Sequence, residues 1–478
     1  MTKSTDSINA TSPDEIPTDW RRTTLGQIGE YINGRGFKKS EWSDKGLPII
    51  RIQNLTGTGN EQNYYSGEID ERHVVHPGDL LISWAATLGA YLWSGPQAAL
   101  NQHIFKVRSF VDKKFHYYLM LHILADLYRQ THGSGMVHIT KSKFDSMPIV
   151  IPDTVDGQKR IVEEIEKQFS RLDEAITNLK RVKANLKRYK AAVLKSAVEG
   201  RLVETEASIA RREGRSYDTG EQLLQRILET RRSQWKGKGK YKEPAAPDTT
   251  DLPELPEGWA YATAEQLTDE NRAITYGVIK LGEPIAGGVP VLRSSDVRQL
   301  RIDLVGVKRI SPKIAGNYRR TLLKGGEVVM TVRGTLGGIA VVPAQCSGFN
   351  VSREVAMLAL VNPAMAHLIA LLIASAPLEG WLMHRTKGIA YTGINIETLK
   401  ALPIPVPPIA EQHRIVAEVD RRLSLIREIE IQADANLKRS ERLRQSILFA
   451  AFSGRLKDVS VDSLIEPTVR SRDAGVLL

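Results

Sequence analysis

The sequence predicts an α+β protein with an internal pseudo-two-fold repeat: two similar mixed α/β domains separated by two long helices that pair as an antiparallel coiled coil. Three observations predict it. A set of short motifs occurs twice in the same order. Each half carries short apolar runs bounded by turn residues. Each half then ends in a long stretch with apolar residues at 3–4 spacing.

The duplication is clearest in RIVEEIEKQFSRLDEAI (160–176) and RIVAEVDRRLSLIREIE (414–430), which share residues at 160, 161, 162, 164, 170 and 174. Around it, IPTDW (16–20) pairs with LPEGW (255–259) and GLPIIR (46–51) with GVPVLR (288–293). PGDLLISWAATLG (77–89) pairs with GGEVVMTVRGTLG (325–337), SMPIVIP (146–152) with ALPIPVP (401–407), and GRL at 200–202 with GRL at 454–456. The offset drifts only from 239 residues (16 to 255) to 255 (146 to 401), as small loop insertions would cause. Chance similarity would not keep this order.

At 478 residues the chain exceeds one compact core. The apolar runs LPIIRI, GDLLIS and IFKVR, then VPVLRS, EVVMTV and VAMLALV, read as short strands. The proline-rich stretches MPIVIPD and LPIPVPP are expected to stop regular structure and to act as hinges into the helices, because proline fixes φ and disfavours helix before it. In the first helix Ile161, Gln168, Ala175, Val182 and Tyr189 alternate with Ile165, Leu172, Leu179, Leu186 and Val193, a coiled-coil seam. From 158 to 199 it would run roughly 60 Å and stop at Gly200. The second has Ile415, Val419, Ile426, Ile429, Leu443 and Ile447 in the same register, weakened by Ala433, Asn436 and Ser440, and stops at Gly454. Two helices packed separately on their own domains would give the same pattern; similar length, similar register and equal placement favour pairing. Residues 204–253 begin with helical period and end in a basic linker with Arg231, Arg232, Lys236, Lys238, Lys240 and Lys242, open to solvent or to phosphates. MAHLIALLIASAP (365–377) is too short to span a bilayer and reads as a buried helix.

One cysteine, Cys346, excludes a disulfide framework and fits a reducing, cytoplasmic setting, and no signal peptide is visible. A net charge of +11 favours a polyanionic partner. Catalytic patterns are missing. No GxG is followed by the third glycine of a dinucleotide fingerprint, and there is no GxxxxGK[ST] loop. NPAM (362–365) departs from an amino-methylase loop and reads as a turn. No PD is followed by (D/E)xK at nuclease spacing, and His73, His76, His132 and His138 lack ligand-spaced partners.

Twice over, [IL]P-x-x-W, P-[IL]-x-[IV]-P, Q-x-R-I-V and G-R-L occur in order: IPTDW, MPIVIP, QKRIV and GRL, then LPEGW, LPIPVP, QHRIV and GRL. With LLQRILETRRSQW and KYKEP between the halves, roughly 15–458 resembles the specificity subunit of type I restriction–modification enzymes. The resemblance implies two target recognition domains (15–151 and 254–406), each reading one half of a bipartite, asymmetric DNA site. It implies two coiled-coil helices (152–203 and 407–458) that set the spacer and dock two modification subunits, with flexible tails at 1–14 and 459–478. It further implies that the chain is non-catalytic. Its partners would be double-stranded DNA, adenine-N6 methyltransferase subunits using S-adenosylmethionine, and ATP- and Mg²⁺-dependent restriction subunits serving phage defence; no membrane is involved.

Candidate base and phosphate contacts follow from repeat position and side-chain chemistry. Arg51 and Arg293 follow equivalent strands, with Gln53 and Asn54 after the first and Ser294, Ser295 and Asp296 after the second. Thr87 and Thr335 end equivalent loops, with Trp84 and Arg333 nearby. The loops 133–144 and 388–400 add His138, Thr140, Lys141 and Lys143, and Lys387 (just before the second), Tyr391, Thr392 and Asn395. For each, a surface or turn role is the alternative. A modification-only system and a coiled-coil scaffold that binds no DNA also remain open; the basic charge and paired arginines speak against the scaffold.

Overall fold

The computed structural model describes residues 17–59, 61–84, 87–130, 141–237, 239–386 and 393–455. The chain divides into two units, Met1–Val182 with Gln432–Leu478, and Lys183–Ile431. Both are built on one plan.

In the first unit a four-stranded sheet has the order Gly29–Asn33, Ile104–Ser109, Leu80–Ser83, Gly89–Leu92, all antiparallel. In the second, Thr275–Tyr276, Val355–Leu358, Val328–Thr331 and Ile339–Val341 repeat that order and those directions. Beside it Leu47–Ile50 runs parallel to Ala98–Leu100, as Val289–Leu292 does to Asn350–Val351. Fully buried strands such as Leu80–Ser83 and Val328–Thr331 explain the unbroken apolar runs, since both faces pack. The helix Ala366–Ile373 lies in the second core, as its composition predicts.

The proline-rich stretches are strands, not breaks. Pro148–Pro152 pairs antiparallel with Trp20–Thr24, and Pro403–Val406 with Ala260–Thr263. The prolines at 148 and 152, and at 403 and 405, fall on alternate positions. Only every second residue of an antiparallel pair donates across the ladder, so a two-stranded ribbon tolerates them. The [IL]P-x-x-W and P-[IL]-x-[IV]-P signatures of each repeat thus meet in one ribbon that leads into the long helix.

Each helix start is locked by the glutamine of Q-x-R-I-V. Buried Gln412 donates through Nε2 to the Pro407 carbonyl at 2.8 Å, and Gln158 Oε1 accepts from the Asp112 N–H at 2.9 Å. Each helix stop uses the glycine of GRL. Gly200 (φ 65°) packs under Pro256, and Gly454 (φ 70°) under Pro17. A Cβ would lie 2.3 Å from Pro256 Cγ at the first and 2.7 Å from Pro17 Cγ at the second, so each stop is clamped by the proline of an [IL]P-x-x-W signature. Gly200→Val is expected to destabilise the second unit by about 2–3 kcal/mol, from strain at positive φ plus the clash; thermal unfolding checks it.

The long helices span Val155–Val198 and Ile409–Phe452, 44 residues each, about 66 Å at 1.5 Å per residue. Each contributes a segment to each unit. In the first unit Leu172 packs on Ile447, with Phe169, Ile176 and Leu443 around them, while Ile161 and Ile165 join the domain core. In the second, Val193 shares a core with Ile415 and Val419. The start of one helix therefore meets the end of the other, which is the antiparallel pairing. The seam departs from expectation in its middle. Val182 is 40% exposed, Tyr189 45% and Ile429 45%, while Leu179 and Leu186 are half-buried. The buried heptad positions of the second helix are Val419, Ile426, Ala433, Ser440 and Ile447. Ala433 and Ser440 are therefore seam residues, and the Ser440 hydroxyl is satisfied by its own helix, donating to Asn436 O at 2.8 Å.

The stretch after the first helix begins with two capped helices of the second unit and, among the described residues, runs on without a regular element from 234 to 259. Thr205 caps Glu206–Glu213 and Thr219 caps Gly220–Ser233. Glu411, fully buried, accepts from the Glu206 N–H at 2.9 Å and from Trp259 Nε1 at 3.0 Å. Burial pushes the Glu411 carboxyl up despite these donors. Arg231 of the basic run is buried on Glu270 and on the Thr268 carbonyl, and Arg232 pairs with Glu243. Neither is spare for phosphate.

His116 anchors the first core. Nε2 meets the Tyr31 hydroxyl at 2.8 Å and Nδ1 the Ser109 hydroxyl at 3.0 Å. Burial drives its pKa down to about 3. Below its ordinary value of about 6.5 the unfolded chain takes up a proton that the folded one refuses, so stability is present above pH ~6.5 and drains toward pH 3. Between pH 7 and pH 5 the loss is expected to be about 2 kcal/mol; His116→Gln should flatten the unfolding profile by that amount.

Candidate nucleic-acid interface

The candidate contact residues Arg51 and Arg293 lie at the tips of the parallel strand pairs. After Leu47–Ile50 the chain turns into the short helix Ile52–Thr56, with Arg51 as its cap residue. Asn54 Oδ1 accepts the Arg51 N–H at 3.0 Å and Asn54 Nδ2 donates to Glu61 O at 3.2 Å. Half-buried Gln53 lies beneath Gly59. The Arg51 guanidinium sits 5.6 Å from the Trp42 ring and has no carboxylate partner among the described residues.

The second repeat uses the same cap with one change. Asp296 Oδ2 accepts the Arg293 N–H at 2.8 Å, as Asn54 does for Arg51. Its second oxygen lets it also hold the guanidinium with two bonds, at 3.1 and 3.0 Å, so Arg293 is ion-paired where Arg51 has no carboxylate partner among the described residues. Ser294 donates to Glu354 Oε2 at 2.7 Å, and exposed Ser295 donates to Asp296 at 2.9 Å.

The equivalent loops are closed alike: Ser83 Oγ donates to Thr87 O at 2.6 Å, and Thr331 Oγ1 accepts from the Gly338 N–H at 2.9 Å. Thr87 and Thr335 are exposed. Half-buried Trp84 stacks on Phe105 (centroids 5.6 Å apart) and donates to Asn33 Oδ1 at 3.2 Å. Arg333 is exposed, 5.3 Å from the Tyr276 ring, and its backbone bridges to Gly393. Gly334 lies against Ser294, so Arg333, Ser294, Glu354 and Tyr276 form one patch. Lys141 pairs with Asp145 at 2.6 Å, Lys143 is exposed, and Asn395 caps Ile396–Lys400 by accepting from Thr398 N at 2.6 Å. His138, Thr140, Lys387, Tyr391 and Thr392 lie outside the described residues.

Sequence reasoning missed Arg35, whose guanidinium lies 4.6 Å from the Phe37 ring and 4.7 Å from the Tyr65 ring and pairs with Glu41. Its signal was there, an arginine between two glycines beside an aromatic: a Cβ on Gly34 would strike Asn101 O at 2.0 Å. Among the described residues no group of His, Cys, Asp or Glu could hold a metal ion, and no single helix is long and apolar enough to cross a membrane. His76 is instead bonded to Glu71 at 2.8 Å.

A family pattern described as the type I restriction modification DNA specificity domain matches residues 17–188 and 283–438. The chain belongs to this family. It is 28% identical to the type I restriction enzyme EcoBI specificity subunit of Escherichia coli over 452 residues, 92% of this chain and 87% of that protein. It is 22% identical to the EcoKI specificity subunit of Escherichia coli (strain K12), covering 93% of this chain and 91% of that one. A solved chain, from work on the structural basis of complex assembly and conformational transition of the type I R-M system, superposes with a TM-score of 0.54. It shares 18% identity and covers 93% of this chain and 100% of that chain, which shows a common fold. As a specificity subunit, the protein is a DNA-binding component of a type I restriction–modification system.

Proposed function

We propose that the two globular regions, 15–151 and 254–406, are target recognition domains that each read one half of a bipartite DNA site. One observation carries the reading: the same strand framework and the same cap occur twice, yet with Asn54 in one cap and Asp296 in the other, Arg293 is ion-paired while Arg51 has no carboxylate partner among the described residues. A shared scaffold with chemically different tips is what two readers of different sequence require. The paired helices, 152–203 and 407–458, fix the distance between the half-sites and dock two methyltransferase subunits. Exposed apolar side chains on them, Val182, Tyr189, Leu425, Ile429 and Ile431, support docking, because solvated coiled-coil faces otherwise carry polar residues. This chain performs no chemistry. S-adenosylmethionine for adenine methylation, and ATP with Mg²⁺ for restriction, belong to the partner subunits.

The adenine methylome of the source cell, with and without this gene, tests the reading. Loss of methylation at one bipartite motif on deletion is the expected result. An unchanged methylome in a cell that expresses the complex would favour the scaffold reading.

A further inference from the structure

In the second unit the strands Val297–Arg298 and Arg301–Ile302 form a hairpin found in this repeat alone among the described residues; the first repeat has the helix Ile52–Thr56 there. Its register sets Arg298 directly opposite Arg301. Like charges across an antiparallel pair repel and weaken the hairpin. Both arginines are exposed, and neither has an ion-pair partner among the described residues. The turn between them adds strain, because Leu300 takes φ 60° to pack its side chain into the core. Val297 and Leu300 anchor the hairpin in the core, but that packing does not require two exposed, unpaired arginines opposite each other.

The long helices add to the same field. From 175 to 198 the first helix has seven lysines and arginines and no carboxylate. The helix dipole accounts for cations only in its last turn, not for those at 180–190. Lys187 and Arg188 are exposed and have no ion pair among the described residues. Half-buried Lys190 lies within the field of Arg301 and of Arg427 from the second helix, with Glu430 as the opposing carboxylate. Burial first, and then those two guanidiniums, lower its pKa.

We propose that Arg298, Arg301, Lys190 and Arg427 form a polyanion site that grips the phosphodiester backbone of DNA beside the half-site read by the second domain, without reading bases. The site rests on the DNA-binding role of the family but is separate from the strand-tip residues assigned above. It supplies affinity and register, and its signature is salt dependence without sequence dependence.

The experiment compares the complete complex of wild-type subunit and methyltransferase subunits with the R298Q/R301Q variant, on a duplex carrying its methylated motif and on one with that motif scrambled. Each phosphate contact contributes about 0.9 to the log–log slope of affinity against salt. The slope is expected to fall by roughly 2 on both duplexes, so that the affinity change between 50 and 200 mM salt shrinks by about tenfold, while the methylated motif stays the same. A changed motif would move these arginines into base reading and overturn the proposal. So would an unchanged slope. Loss of the methyltransferase subunits on purification with an unchanged slope would assign the patch to an acidic protein surface instead. Removing Lys190 by K190Q, a substitution outside the hairpin, should lower the slope by about 1 and guards against a hairpin that merely misfolds.

Discussion

Leu172→Asp is expected to destabilise the first unit by about 3–5 kcal/mol and to strip the methyltransferase subunits from the purified complex. Leu172 is fully buried against Ile447 where the start of one long helix meets the end of the other. The change removes a large apolar side chain and puts a carboxylate in its place, while Arg444, over the Phe169 ring, is already paired with Asp173. Leu179, in the same heptad register but half-buried, should respond more mildly to the same change. Thermal unfolding and co-purification measure the two effects. An unaltered Tm and full recovery of partners with Leu172→Asp would mean that the seam does not hold the helices together.

Arg51→Ala is expected to weaken discrimination at one half-site by about 1–3 kcal/mol, roughly 5- to 150-fold, and to leave the other half-site untouched. Arg51 is the guanidinium at its strand tip without a carboxylate partner among the described residues, poised near Trp42. Arg293→Ala should do less to base reading, because Asp296 already holds that side chain with two bonds, and more to the local fold. Freeing Arg293 by Asp296→Asn would copy the first cap into the second repeat and should alter the preference of the second half-site. Binding to duplexes mutated in either half, at fixed salt, separates these outcomes.

The repeat made much of this legible. The strand runs, the helix lengths, the glycine stops and the antiparallel pairing all follow from periodicity and ordered recurrence, because each is a local property read twice. Three features resisted for physical reasons. The prolines at 148, 152, 403 and 405 suggest a break unless the partner strand is known, and that partner lies more than a hundred residues away. Ile429 matched the heptad register but faces solvent, whereas Ala433 and Ser440, too small to signal a core in sequence, are buried. The difference between Arg51 and Arg293 rests on one cap residue, Asn54 or Asp296. Its effect on the neighbouring guanidinium depends on geometry that composition cannot express.

Selection of bound duplexes from a randomised DNA library by the assembled complex, with wild-type subunit and with Arg51→Ala in parallel, tests two independent readers on one framework most directly. The account predicts two short constrained blocks at a fixed separation for the wild type, and loosening of one block alone for the variant. A single continuous block, or equal loosening of both, would contradict it.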